Sequence, residues 1–160
     1  VKPQMLKQVC AELLPHLQGE LIVSIAAGTR SASIARWLGG HVRIVRTMPN
    51  TPALVGKGMT ALFARPAMSA ADQRQVEEVI ATTGEFLWVQ TEPQLDAVTA
   101  LSGSGPAYVF YFLEAMTQAG AELGLSAEQA RRLAVGTFAG ASELARASDE
   151  PLELLRERVT

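Results

Sequence analysis

Two stretches of the 160-residue chain hold residues whose types and spacing can do chemistry. The first is Ser102-Gly103-Ser104-Gly105-Pro106, set between the apolar segments Ala97-Val98-Thr99-Ala100-Leu101 and Ala107-Tyr108-Val109-Phe110. Glycine lets a backbone come close to a ligand, and proline suits the first turn of a helix. A helix N-terminus with free N–H groups beside serine hydroxyls can grip a carboxylate or a phosphate. The spacing alone does not separate that reading from a Gly-rich turn without a ligand. The arrangement is not the Gly-x-Ser-x-Gly elbow of a hydrolase, and no His/Asp pair accompanies it. Ser102 and Ser104 therefore suit anchoring an anion better than nucleophilic attack.

The second is Glu92, where the last predicted strand hands over to a helical region. Close in sequence to the Ser/Gly stretch, it can be an anion facing a cationic ligand group. A solvated acid at a domain junction is the other reading. Asp96 suits the positive end of the helix that it begins. His16 and His41 have no Cys, His or carboxylate at ligand spacing, so no metal site is expected.

These residues must be positioned by a core, and 48% hydrophobic content is enough to build one. Leu21 to Ala27 is a continuous apolar run, as in a strand buried on both faces of a parallel sheet. Val42 to Thr47, Met59 to Ala64 and Phe86 to Gln90 read as further strands. Helices are predicted from Pro3 to Leu14, breaking at Pro15, from Ser31 to Leu38, and after Ser69, where Asp72 completes a capping box. Strand–helix alternation of this kind gives an α/β layer architecture. Such sheets bind ligands outside the carboxyl ends of their strands, which marks the loops Ala26 to Ser31 and Thr47 to Thr51. There is no Gly-x-Gly-x-x-Gly fingerprint, and Gly56-Lys57-Gly58 fits a hairpin turn better than a phosphate loop.

Beyond Glu92 the chain reads as helix: Asp96 to Leu101, Pro106 to Leu123 after a Ser/Gly break, Ser126 to about Ala147 behind a second capping box, and a last helix from Pro151. Gly120 and Gly124, and Gly136 and Gly140, stand four apart, which suggests close helix–helix contact. Leu113, Met116, Leu133, Val135 and Phe138 suit a core or a subunit interface. Three helices make a thin core, so an intertwined homodimer is expected over a monomeric bundle.

A net charge of −2 gives no electrostatic case for nucleic acid or an acidic membrane. No apolar run is long enough to span a bilayer, and the start lacks a signal-peptide pattern. Cys10 is the only cysteine, which excludes an intramolecular disulfide and suggests a reducing, cytoplasmic setting. With Met5, Leu6, Val9, Leu13 and Leu14 at helical spacing, it reads as a small buried hydrophobe.

The stretch Asp96-Ala97-Val98-Thr99-Ala100-Leu101-Ser102-Gly103-Ser104-Gly105-Pro106-Ala107-Tyr108 resembles the signature of the pyrroline-5-carboxylate reductase family. Val1-Lys2-Pro3-Gln4, Ser24-Ile25-Ala26-Ala27-Gly28 and Met48-Pro49-Asn50-Thr51-Pro52 match the same family in order. The resemblance implies NADPH- or NADH-dependent reduction of 1-pyrroline-5-carboxylate to L-proline, the last step of proline biosynthesis. It implies residues 1–92 as the C-terminal part of a Rossmann-type domain, and 93–160 as an all-α substrate-binding and dimerisation domain. Val1, Lys2, Pro3, Ile25, Ala26 and Ala27 would lie along the cofactor. Glu92, Ser102, Gly103 and Ser104 would lie near the substrate, with the carboxylate of Glu92 favouring the iminium form. A homodimer or higher oligomer built through the helices is implied as well. Two other classes stay open: a non-catalytic helical dimerisation module, and a related Rossmann-plus-helices oxidoreductase acting on another substrate.

The family's Gly-rich phosphate-binding turn and its C-terminal Ser-Pro/Lys-Gly-Gly-Thr-Thr loop have no counterpart among these residues. The chain also begins at Val1 rather than Met, and reads as a piece of a longer protein. The purified 160-residue chain is accordingly expected to bind dinucleotide poorly and to turn over little. A spectrophotometric assay following NAD(P)H consumption checks this, and measurable imine reduction overturns it.

Overall fold

The apolar runs pair into one four-stranded sheet in the computed structural model, which describes residues 1–159. Strands β1 (Ile22–Ser24), β2 (Ile44–Met48), β3 (Gly58–Ala64) and β4 (Gly84–Trp88) lie in that order across it. β1 runs parallel to β2, β2 antiparallel to β3, and β3 parallel to β4. Helix α1 (Leu6–Leu13) precedes β1, α2 (Ser31–Trp37) links β1 to β2, and α3 (Ala70–Ala81) links β3 to β4.

Successive side chains of a strand point to opposite faces, so β2 feeds two cores at once. Ile44 packs with Cys10 of α1 and with Ile34 and Leu38 at α2. Val45 and Leu62 pack on the other face with Met68 and Val76 of α3. Cys10 is 4% exposed and burial pushes its thiol pKa up, as suits a small hydrophobe.

Several boundaries depart from the sequence reading. The run from Leu21 to Ala27 yields only three residues of strand, and Val23 is 44% exposed. Among the described residues β1 pairs on one side only, so burial on both faces belongs to β2 instead, where Ile44 to Thr47 are all buried. The first α-helix ends at Leu13, just ahead of Pro15, and passes into a tighter turn. A 3-10 turn, Leu14–His16, carries the proline in its first positions, where the missing N–H leaves no bond unmade. The β2–β3 link is antiparallel but longer than a hairpin turn. It contains a 3-10 turn, Thr51–Val55, closed by Gly56 at φ +68.

Both capping boxes form. The Ser69 hydroxyl accepts from the Asp72 N–H, and the Asp72 carboxylate accepts from the Ser69 N–H. Asp72 also pairs with Arg43, whose guanidinium further donates to the Gly19 carbonyl. The Arg43 hydrogen bond, with those from Ser69, holds the Asp72 carboxyl down at about 2. One ion pair thus ties α3 to β2 and to the loop before β1.

Past β4 the chain turns back over the sheet. Helix α4 (Gln94–Val98) packs on β2 and β3, with Leu95 1% exposed. With it, the first compact unit runs Val1–Pro106.

The second unit, Ala107–Thr160, holds most of α5 (Gly105–Glu122), with α6 (Ala127–Ala147) and α7 (Leu152–Glu157). Helix α5 ends in a Schellman motif. Gly124, at φ +97, donates to Ala121, and Leu125 donates to the Gly120 carbonyl. A Cβ at Gly120 would lie 2.8 Å from that of Ala130, so this glycine does permit close helix contact. Gly136 and Gly140 face open space instead. Phe112 and Phe138 stack tilted at 6.2 Å. Only Ala130 and Ala134 are fully buried among the unit's described residues, while Phe110, Tyr111, Leu133 and Leu144 are more than half exposed.

Where β3 and β4 begin, Gly58 and Gly84 sit opposite each other in register. Gly84 has φ +142, and a Cβ there would come within 2.2 Å of the Gly58 carbonyl oxygen. Gly84→Ala should therefore cost at least about 3 kcal/mol, whereas Gly124→Ala, strained but unobstructed, should cost about 1 kcal/mol. Urea unfolding of the two variants checks the contrast.

Candidate functional site

The central cation of the first unit is Arg46, in the middle of β2, with its side chain 4% exposed. A charge so buried needs a partner. Its Nη1 donates to Glu92 Oε1 at 3.0 Å. Glu92 is itself held by Ser31, the first residue of α2. The Ser31 N–H donates to Oε1 at 2.5 Å, and its hydroxyl to Oε2 at 3.1 Å. The carboxylate thus caps α2 and neutralises Arg46 together. Burial pushes the Glu92 carboxyl up, but the Ser31 N–H, Arg46 and the Ser31 hydroxyl outweigh it and hold the pKa below its ordinary value. The linkage is therefore intact at neutral pH and is lost only on acidification through that lowered range. Beside it, Arg30 pairs with Asp96 at 2.7 Å, an exposed and weaker tie between the same two segments.

The Ser/Gly stretch is not the break expected from the sequence. Thr99–Gly103 is a π-helical turn continuing α4, and the Ser104 N–H donates back to the Thr99 carbonyl at 2.9 Å. The Ser104 N–H is therefore not free to grip an anion. Gly103 lies against Met48 at the end of β2, and a Cβ there would meet its Cε at 2.6 Å. The Ser102 hydroxyl accepts from Asn50 Nδ2 at 3.2 Å and donates to the Met59 carbonyl at 3.5 Å. Asn50 Oδ1 in turn accepts from the Met59 N–H at 2.9 Å. π-turns recur at functional sites because they displace backbone from the regular ladder.

Of the residues expected at a cofactor, Val1, Ile25 and Ala26 line one groove of about 240 Å³, together with Cys10 and Ile34. It runs along the whole of β1 between α1 and α2, and reaches the carboxyl end of the strand at Ile25 and Ala26. Its lining is mostly aliphatic, with Ser24 and Cys10, and carries no charged side chain, so it suits a flat ring or a sugar face better than a phosphate. Lys2, Pro3 and Ala27 are exposed and do not line it. The structure thus brings the remaining expected residues into three places: the groove, the Glu92 linkage and the Ser102 linkage. Arg46 and Ser31 were not singled out from sequence. The signal for Arg46 was legible, since a lone charge inside Ile44-Val45-Arg46-Thr47-Met48 calls for a buried partner.

The chain has counterparts among known proteins. The family described as pyrroline-5-carboxylate reductase dimerisation matches residues 92–160. A pyrroline-5-carboxylate reductase of Pseudomonas aeruginosa is 52% identical over the whole chain. Residues 92–160 belong to the pyrroline-5-carboxylate reductase dimerisation family, and the chain as a whole is similar to pyrroline-5-carboxylate reductases. The solved reductase of Coxiella burnetii superposes on all of it with a TM-score of 0.92 at 40% identity. That of Plasmodium falciparum, solved with NADP bound, does so with a TM-score of 0.91 at 32% identity. The chain spans 59% of the Pseudomonas relative and 60% and 64% of the two solved chains. The matched family segment begins at Glu92, so the dimerisation segment includes the Glu92 carboxylate that caps α2 in the first compact unit.

Asn50→Ala should remove the link to Ser102 and leave the Met59 N–H without its acceptor, a loss of about 1–3 kcal/mol. Thermal unfolding of the variant checks the size. Asn50→Asp, which keeps the acceptor for Met59 and loses the donors for Ser102, should fall between.

Proposed function

We propose that this chain is the part of a pyrroline-5-carboxylate reductase in which cofactor and substrate meet. The reaction is reduction of the cyclic imine 1-pyrroline-5-carboxylate to L-proline with NADPH or NADH, the last step of proline biosynthesis. One observation carries the reading. Both loops at the carboxyl ends of β1 and β2 are fastened by side chains to the stretch that runs from Glu92 into the family's signature segment, through Glu92 to Ser31, Asp96 to Arg30 and Ser102 to Asn50. A reductase needs its cofactor loop and its substrate loop in fixed relation, because hydride transfer is mainly a matter of orientation.

Val1, Lys2, Pro3, Ile25, Ala26 and Ala27 are the residues we assign to the cofactor. The aliphatic groove at Val1, Ile25 and Ala26 fits its ring part. The cofactor, when bound, supplies the hydride. Ser102, Gly103 and Ser104 are assigned to the substrate side. The Ser102 hydroxyl already has two protein partners, so its part is to shape the pocket and not to transfer a proton. We further propose the expected division into a Rossmann-type part, 1–92, and a helical part, 93–160, working in the cytoplasm as a homodimer or higher oligomer. Support for the oligomer comes from the second unit. Its apolar side chains are largely exposed, and Gly136 and Gly140 leave room for a close neighbour.

The test joins this chain to the segments of the Pseudomonas aeruginosa relative that it does not span. The hybrid should oxidise NADPH in the presence of 1-pyrroline-5-carboxylate, form L-proline, and sediment as a dimer or larger. A folded, dimeric hybrid that consumes no NADPH would instead favour the dimerisation module without catalysis.

A further inference from the structure

Glu92 was expected at the substrate, where its charge would favour an iminium. Its surroundings point elsewhere. Its charge is already neutralised by Arg46, whose side chain is 4% exposed, and three donors from this chain engage its two oxygens. The side chain of Glu92 is itself only 17% exposed. An anion compensated in this way adds little field at a neighbouring cation. What Glu92 does touch is Ser31, the residue that ends the loop running from Ile25 and Ala26 in the groove. Arg30 and Asp96 add a second tie between that loop and the same segment.

We infer that Glu92 and Arg46 are positioning residues for the cofactor loop: through the first turn of α2 they fix loop 25–31 and the groove it borders, and they do not bind the substrate. This rests on the reductase reading. Arg46 is anchored in the central part of the sheet, Glu92 bridges it to α2, and α2 carries the loop. Cutting the bridge frees the loop while the Ser102–Asn50 linkage stays whole. The effect therefore falls on dinucleotide affinity and not on recognition of the imine.

The test uses the hybrid full-length protein and titrates NADPH by protein fluorescence alongside steady-state kinetics. In Glu92→Ala the Kd for NADPH should rise roughly tenfold, the equivalent of one lost charge-assisted hydrogen bond, while the imine KM at saturating NADPH stays within about twofold. Glu92→Gln keeps an acceptor for the Ser31 N–H and should lie between. Glu92→Ala leaves a buried cation unpaired, and if it does not fold, Arg46→Met with Glu92→Met removes both charges and should show the same rise. A rise in imine KM with NADPH affinity unchanged, or no change in either, overturns the inference and leaves the reductase reading standing. A wild-type hybrid that binds no NADPH overturns both.

Discussion

A buried guanidinium constrains the first unit more than any other group. Arg46 stands in the strand that serves both cores, where desolvating a charge without a partner costs several kcal/mol. The fold answers by bringing one carboxylate from far along the chain, Glu92, and giving it two further donors at Ser31. That requirement fixes the path of the chain after β4. Residues 89–98 must return over β3 and β2 so that Glu92 reaches Arg46, and this return leads the π-turn to Met48 and Asn50. Removing one partner of such a pair is more damaging than replacing both, because the survivor stays buried and charged.

The parts legible in the sequence were those governed by local rules. Ser69 with Asp72 and Ser126 with Gln129 announced two helix starts through their spacing, and both boxes form. The alternation of strands and helices gave the α/β class, and the Ala-rich second half gave its helices. Signature motifs pointed to the family where spacing alone could not. The parts that were not legible depend on distant partners. Ser102-Gly103-Ser104 has the composition of a loose turn, yet it is held in a π-turn by Asn50, Met48 and Thr99, none of which is a neighbour in sequence except Thr99. Leu21 to Ala27 looked like a fully buried strand because its side chains are apolar. Burial, however, depends on what lies beside the strand, and β1 pairs on one side only among the described residues.

The second unit shows the opposite balance. Its helices are well specified by caps, by the Schellman ending at Gly124 and by alanine-rich composition, but little apolar surface is buried between them. Most helical stability in proteins comes from packing an apolar face and not from propensity. Helices with faces such as those of Tyr111 and Leu133 exposed are thus well formed locally and incompletely satisfied in their packing. The match to a dimerisation family over 92–160 agrees with a segment whose packing is completed by association.

These two halves place different demands on Glu92, which belongs by sequence to the dimerisation family's segment and by packing to the sheet. A residue with both memberships ties the start of α2 to the stretch of chain that follows it, and the constraint is reciprocal. Whatever fixes the segment after Glu92 fixes the acceptor of the Ser31 N–H, and so the start of α2. The tie is short, largely buried and charge-assisted, so it resists thermal loosening better than the exposed Arg30–Asp96 pair beside it. The end of the loop that borders the groove at Ile25 and Ala26 is then held by a residue far along the chain, on the same face of the sheet. Its ordering does not have to be encoded in the loop itself, whose residues Ile25-Ala26-Ala27-Gly28 carry almost no side-chain hydrogen-bonding capacity of their own.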